Sequence, residues 1–154
     1  MKKMFCLALA ALLMLSPALA APQLSDSLFA AAKQAAEWLL TGNYDMLVER
    51  LPFSGAAPDA GEWASFAANY AASAPAQQDY AVAYWINDGW RVAVPMSVPD
   101  SPGVEVLLLT SEDGYSFNGY RYDHWGQVAL EYAQSDHVVW NDEYLPAVPQ
   151  LFAD

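Results

Sequence analysis

The sequence predicts an α+β fold, with three N-terminal helices packed on a curved, mostly antiparallel sheet of four to six strands. Three observations carry this. Apolar residues recur at helical spacing up to about residue 70. From Tyr80 onward, short apolar runs alternate with turn signals. The helical and extended segments are also segregated along the chain, which argues against an interleaved parallel α/β arrangement and for helices on one face of a sheet.

Ahead of these elements comes a targeting segment. Lys2 and Lys3 form a positive start, residues 4–15 are apolar apart from Cys6, and Pro17 precedes Ala18-Leu19-Ala20. This is the pattern of a secretory signal peptide cleaved after Ala20. The apolar run is shorter than the roughly 20 residues that span a bilayer. Residues 1–20 are therefore expected to leave, and residues 21–154 to form one exported domain in the periplasm or outside, with no membrane insertion after cleavage. Cys6 would leave with the signal, so no disulfide can form in the mature chain.

The first helix is predicted over residues 24–40. Ser25 or Asp26 can cap it, Leu28, Ala32, Ala35 and Leu39 form its buried stripe, and Gly42 can end it. Lys33 and Glu37 stand four apart on the wet side. A short second helix is predicted from Tyr44, ended by Pro52. Asp59 and Glu62 form a capping-box pattern before a third helix, whose Trp63, Phe66 and Tyr70 share one face. Pro75 marks its exit.

The extended half opens with "AVAYWI" and "WRVAVPM" around Asn87-Asp88-Gly89, a strong hairpin signal. "GVEVLLL" and "GYSFNGYRY" flank a second turn at Ser111-Glu112-Asp113-Gly114, with Asn118-Gly119 marking a bulge or early turn. "QVALEYAQ" alternates Val128, Leu130 and Tyr132 with smaller or polar residues and is predicted to be a half-buried strand. "HVVW" supplies a last short strand, and the tail over residues 146–154 is predicted to run over the surface.

The stretches "AAEWLLTGNYDMLVERLPF" and "EWASFAANY" resemble the helical start of small exported NTF2-like, or cystatin-like, domains. That resemblance implies a cone, in which a bent sheet wraps the helices around an apolar cavity. Such domains include binding and scaffold modules as well as isomerases and dehydratases. No active-site motif of theirs is matched here, so the resemblance implies a fold and no catalytic residue.

Charge limits the function further. Without Lys2 and Lys3, four basic residues (Lys33, Arg50, Arg91 and Arg121) stand against eighteen acids, a net charge of −14. Such a surface repels phosphate backbones and anionic lipid, so no nucleic-acid partner is expected. Gly-rich phosphate loops, zinc motifs and nucleophile elbows are absent from the sequence, and no cofactor or metal is called for.

The candidate chemistry gathers around "GYRYDHWGQ", residues 119–127. His124 with Asp123 is the candidate acid–base pair, since an imidazole can transfer protons near neutral pH. Successive side chains on a strand face opposite ways, however, so Asp123 could not orient His124 on a regular strand. Asp136-His137 repeats the pattern; a hairpin could bring the two histidines together, and with Asp123, Asp136 or Asp142 they could then bind a divalent metal, although nothing in the spacing is diagnostic. Trp125 is expected to cover the apolar mouth of the cone, with His124 at its wet edge. Tyr84, Trp90, Tyr120, Tyr122 and Trp125, with Arg121, are the predicted ligand-binding residues: aromatic rings line apolar pockets, and they are equally favoured at protein interfaces. Arg91 or Arg121 could pair with a ligand carboxylate or with neighbouring acids.

The sequence therefore predicts an exported, soluble, non-catalytic binding module for a small apolar ligand or an envelope protein partner, with a homodimer compatible with that role. The alternatives are a cofactor-independent lyase or isomerase using His124, and a structural subunit of an envelope complex.

Overall fold

Leu28 and Phe29 donate their backbone N–H groups to the Ser25 carbonyl, and helix α1 runs Asp26–Thr41. In a computed structural model the described residues are 23–68, 81–96 and 104–140. The signal segment, Tyr70, Pro75, Tyr80 and the tail lie outside them. Helix α1 buries Leu28, Ala32, Ala35, Ala36, Leu39 and Leu40 as one stripe. Gly42 ends it at φ 72°, a left-handed conformation that costs glycine little. The Gly42 and Asn43 amides donate back to the carbonyls of Leu39 and Trp38, closing the last turn. Helix α2, Tyr44–Arg50, buries Leu47. Helix α3, Ala60–Ala68, starts with the predicted reciprocal cap: Asp59 N–H donates to Glu62 Oε2 at 2.9 Å, and Glu62 N–H to Asp59 Oδ1 at 2.8 Å. Trp63 and Ala67 are its buried residues.

Among the described residues five strands follow: β1 Val82–Ile86, β2 Gly89–Met96, β3 Glu105–Ser111, β4 Gly119–His124 and β5 Val138–Trp140. Their order across the open sheet is β4-β3-β2-β1-β5, and every neighbouring pair is antiparallel. Asn87 and Asp88 make the tight β1–β2 turn at φ 50° and 56°, as the hairpin signal requires. In the β3–β4 loop the Asp113 carboxylate accepts from Tyr115 N–H, Ser116 N–H and the Ser116 hydroxyl. These bonds hold its pKa down at about 2. The Gly114 carbonyl then accepts from Ser25 N–H at 2.9 Å, tying the loop to the start of α1.

The segment predicted as the strand "QVALEYAQ" is instead a helix, α4, Trp125–Tyr132. Trp125 and Val128 are buried and Tyr132 packs beside them, at i, i+3 and i+7, whereas Leu130 is 62% exposed. Both periods fit the segment. Helical spacing prevails because Trp125 and Val128 then pack together on the sheet, which no strand spacing allows.

The placement of α4 also changes the layers. Helices α1–α3 cover one sheet face over Ala83, Trp90, Val92, Val94, Leu107 and Leu109. Helix α4 covers the other, over Val82, Tyr84, Ala93, Val106 and Leu108. Helices thus lie on both faces where one was expected. The physical reason is the make-up of β2 and β3, which are apolar on both sides and need two covers. Helix α4 also carries the chain from β4 at one edge to β5 at the opposite edge. No helix of the described residues is long and apolar enough to cross a membrane.

Candidate functional site

Alternation along β4 divides its side chains between the two faces. Tyr120 and Tyr122 point to the α1–α3 side, where they pack against that core. Arg121 and Asp123 point to the α4 side. There Arg121 Nε and Nη2 donate to Asp123 Oδ2 at 3.2 and 3.0 Å, and Nη2 also reaches Glu131 Oε1 at 3.1 Å. The other oxygen of Glu131 accepts the Tyr84 hydroxyl at 2.7 Å. Burial pushes the Tyr84 pKa up, and the Glu131 carboxylate that its hydroxyl serves adds to the rise. Burial opposes the Arg121 charge, but the hydrogen bond to Asp123 and the charges of Glu131 and Asp123 outweigh it and raise its pKa. Arg121 is thus consumed by neighbouring acids.

Beside this network lies a pocket of about 330 Å³ lined by Ile86, Asn87, Arg91, Arg121, Gln127, Glu131 and Gln134. The β1–β2 turn, three strands (β1, β2 and β4) and one side of α4 build it. Arg91 stands opposite Tyr84 and Thr110 in the sheet register and so shares their face. Its Nη1 donates to the Trp90 carbonyl at 3.3 Å, and among the described residues it forms no ion pair. Arg91 was visible in the sequence as a scarce cation. Asn87, Gln127, Glu131 and Gln134 were not singled out: the turn hid the first, and the strand reading of α4 scattered the other three, which a helix brings to one side at i, i+4 and i+7.

Asp123 and His124 do not form a side-chain pair. Asp123 Oδ1 accepts the His124 backbone N–H at 2.9 Å. The imidazole is 70% exposed, and its Nδ1 lies 3.4 Å from Glu105 Oε2. A depression of about 390 Å³ is lined by Glu105, Tyr122, Asp123 and His124. His137 lies at the opposite edge, just before β5, with its ring 5.5 Å from that of Trp90. The sheet therefore separates the two histidines. Among the described residues, no three His, Cys, Asp or Glu side chains converge as a metal site; Asp142 lies outside them.

The predicted aromatic ligand residues are divided in the same way. The Tyr120 ring lies 4.3 Å from that of Trp63, tilted by 41°, and the Tyr122 ring 4.7 Å from that of Phe66, on the α1–α3 side. Trp90 is fully buried in that core, 5.6 Å from Trp85. Tyr84 and Trp125 belong to the α4 side, where Trp125 packs on Tyr132 and Trp140. Trp125 does not cover a mouth beside His124: it opens α4 and turns into the second core, 3% exposed. The site that the geometry does assemble is the Arg91–Arg121–Glu131 pocket on the α4 face. The chain matches no family model, no curated protein and no solved structure.

Proposed function

We propose that this chain is an exported, non-catalytic binding module whose recognition surface is the outer side of α4, and that its partner is an envelope protein. One observation carries the reading. The α4 face holds a polar pocket with a guanidinium, Arg91, that forms no ion pair among the described residues, and two side-chain amides, Asn87 and Gln127, that make no hydrogen bond among them, flanked by the exposed Leu130. Leu130 lies three and four residues from Gln127 and Gln134, so an apolar contact adjoins the polar one on the same helix side. Interfaces combine such anchors with a polar rim. A protein partner suits this surface better than a small apolar ligand, because the pocket is charged and the rings of the described cores pack on one another. The NTF2-like resemblance belongs to the same proposal. Three helices on one sheet face support it, and α4 on the other face is an addition to that scheme.

The test is a photo-crosslinking residue placed at Leu130 in the exporting cell, with Val48, 40% exposed on α2, as the control position. A discrete adduct from Leu130 and none from Val48 is expected. No adduct at Leu130, or the same adducts from both positions, would remove the reading.

A second reading, a cofactor-independent lyase or isomerase, is favoured by the depression that brings His124 beside Glu105 and Tyr122. It requires deuterium exchange at the carbon acids of a ketone and 2-oxo-acid panel in heavy water, lost in His124→Asn. Exchange no faster than in buffer would sink it.

A further inference from the structure

The α4-face pocket is specific in its chemistry. Arg91 forms no ion pair among the described residues, although the mature chain is expected to hold eighteen acids. Neither the Asn87 nor the Gln127 side chain makes a hydrogen bond among the described residues, and both line the pocket. The local acids are already committed: Glu131 Oε1 to Arg121, Glu131 Oε2 to Tyr84, and Asp123 to Arg121. The remaining Arg91 donors and these amides thus face open space, while the carboxylates beside them are occupied. A planar guanidinium with amide donors beside it matches a planar, two-oxygen acceptor.

Gly89 leaves room for the Arg91 guanidinium where it stands. A Cβ on Gly89 would stand 2.9 Å from Arg91 Nη1 and 3.9 Å from its Cζ, so the guanidinium lies over a bare backbone position. The next neighbour, the Ser111 carbonyl oxygen, would be 3.6 Å away, an ordinary contact.

We propose that the pocket between α4 and the β1–β2 turn binds a carboxylate, received by Arg91 with the amides of Asn87 and Gln127. This assignment rests on the binding-module reading and names the chemical group its surface receives. The carboxylate belongs either to a polypeptide C-terminus or to a free small acid; both present the same two oxygens. Ile86 at the pocket wall and Leu130 outside it favour an apolar group next to the carboxylate.

Heteronuclear NMR of the mature chain near neutral pH and at low salt tests this with three probes: glutarate, acetyl-Ala-Ala-Leu with a free C-terminus, and the same peptide as its C-terminal amide. Saturable shifts of the Arg91 Nε, Asn87 and Gln127 side-chain signals are expected with a carboxylate probe and not with the amide. If only the peptide acid binds, a polypeptide terminus is the source; if glutarate binds as well or better, a free acid is. Arg91→Gln should weaken binding roughly tenfold or more, as loss of a charge-assisted pair does. Arg91→Lys, which keeps the charge but not the fork, should fall between the two. Gly89→Ala should weaken binding severalfold while the rest of the spectrum stays folded, and it serves alone if Arg91→Gln fails to fold. Absence of saturable shifts with either carboxylate, equal binding of the amide, or undiminished binding in the Arg91 variants would overturn the assignment. A Leu130 adduct that persists in Arg91→Gln, without carboxylate binding, would remove the carboxylate and leave the binding module.

Discussion

At the scale of single residues, three side chains have consequences that can be measured. Tyr84 is fully buried and its hydroxyl donates to Glu131, so its pKa is raised above the ordinary phenol value of about 10. A raised pKa in the folded state stabilises the fold at pH values below about 10, and the contribution is lost as pH rises beyond that. Urea midpoints should therefore fall steeply above about pH 10 in the native chain and less steeply in Tyr84→Phe; equal slopes would show that Tyr84 ionises freely. Asp113 has the opposite sign. Backbone and hydroxyl bonds from Tyr115 and Ser116 hold its pKa at about 2. Its contribution is present above about pH 4 and is lost as pH falls towards 2. Asp113→Asn should cost on the order of 1 kcal/mol near neutral pH, kept small by solvent screening, and should flatten the acid limb; an unchanged acid limb would count against it. Trp63 is fully buried on the face that its helical spacing assigns. Its replacement by Ala should cost roughly 3–5 kcal/mol in chemical denaturation, and a loss below about 1 kcal/mol would contradict full burial.

At the scale of elements, the legible parts were those with local chemistry. The Gly42 terminator, the Asp59–Glu62 cap and the Asn87-Asp88 turn each satisfy nearby backbone groups, so a few residues specify them. The α4 segment is different, because Val128, Leu130 and Tyr132 alternate while Trp125, Val128 and Tyr132 also fit a helix. Tertiary contact with the sheet decides, and no local signal reports it. The sequence did hold one hint. "VEVLLL" and "RVAVPM" are nearly unbroken apolar runs, the mark of strands covered on both faces, and a second cover had to come from somewhere. The site was half legible for the same reason: Tyr84 and Arg121 could be named from the sequence, but Glu131, which joins them, sat on a misassigned element. Paired substitutions separate the two assignments. Val128→Ala should cost about 1–3 kcal/mol as a buried truncation, while Leu130→Ala should stay within about 0.5 kcal/mol. A strand would place both on one face and make both costly, so comparable losses would return the segment to the strand reading.

For the whole molecule, the sheet divides the core in two, and each half is closed by helices from a different part of the chain. The candidate pocket depends on both divisions: β1, β2 and β4 carry part of its lining, and α4 closes it only after crossing from one sheet edge to the other. Around that frame the charge is one-sided. If Ala18-Leu19-Ala20 directs cleavage, mass spectrometry of the exported protein should find Ala21 at its N-terminus; Met1 retained in a membrane fraction would argue against export. The mature chain would then carry four cations against eighteen acids. An excess of that size repels itself in the folded state more than in the expanded one. Salt has two opposing effects here. It weakens the Arg121 pairs with Asp123 and Glu131, and it screens repulsion among all the remaining acids. The first effect is confined to one partly buried cluster, where screening is weak; the second acts over the whole surface, within a Debye length of about 10 Å at 0.1 M salt. Screening of repulsion should therefore win. The urea midpoint near neutral pH should rise as sodium chloride goes from about 0.01 to about 0.15 M, by an amount worth on the order of 1 kcal/mol. A midpoint that falls over this range would mean that the attractive network outweighs the field of the acids, and that the Arg121 cluster is a main support of the fold.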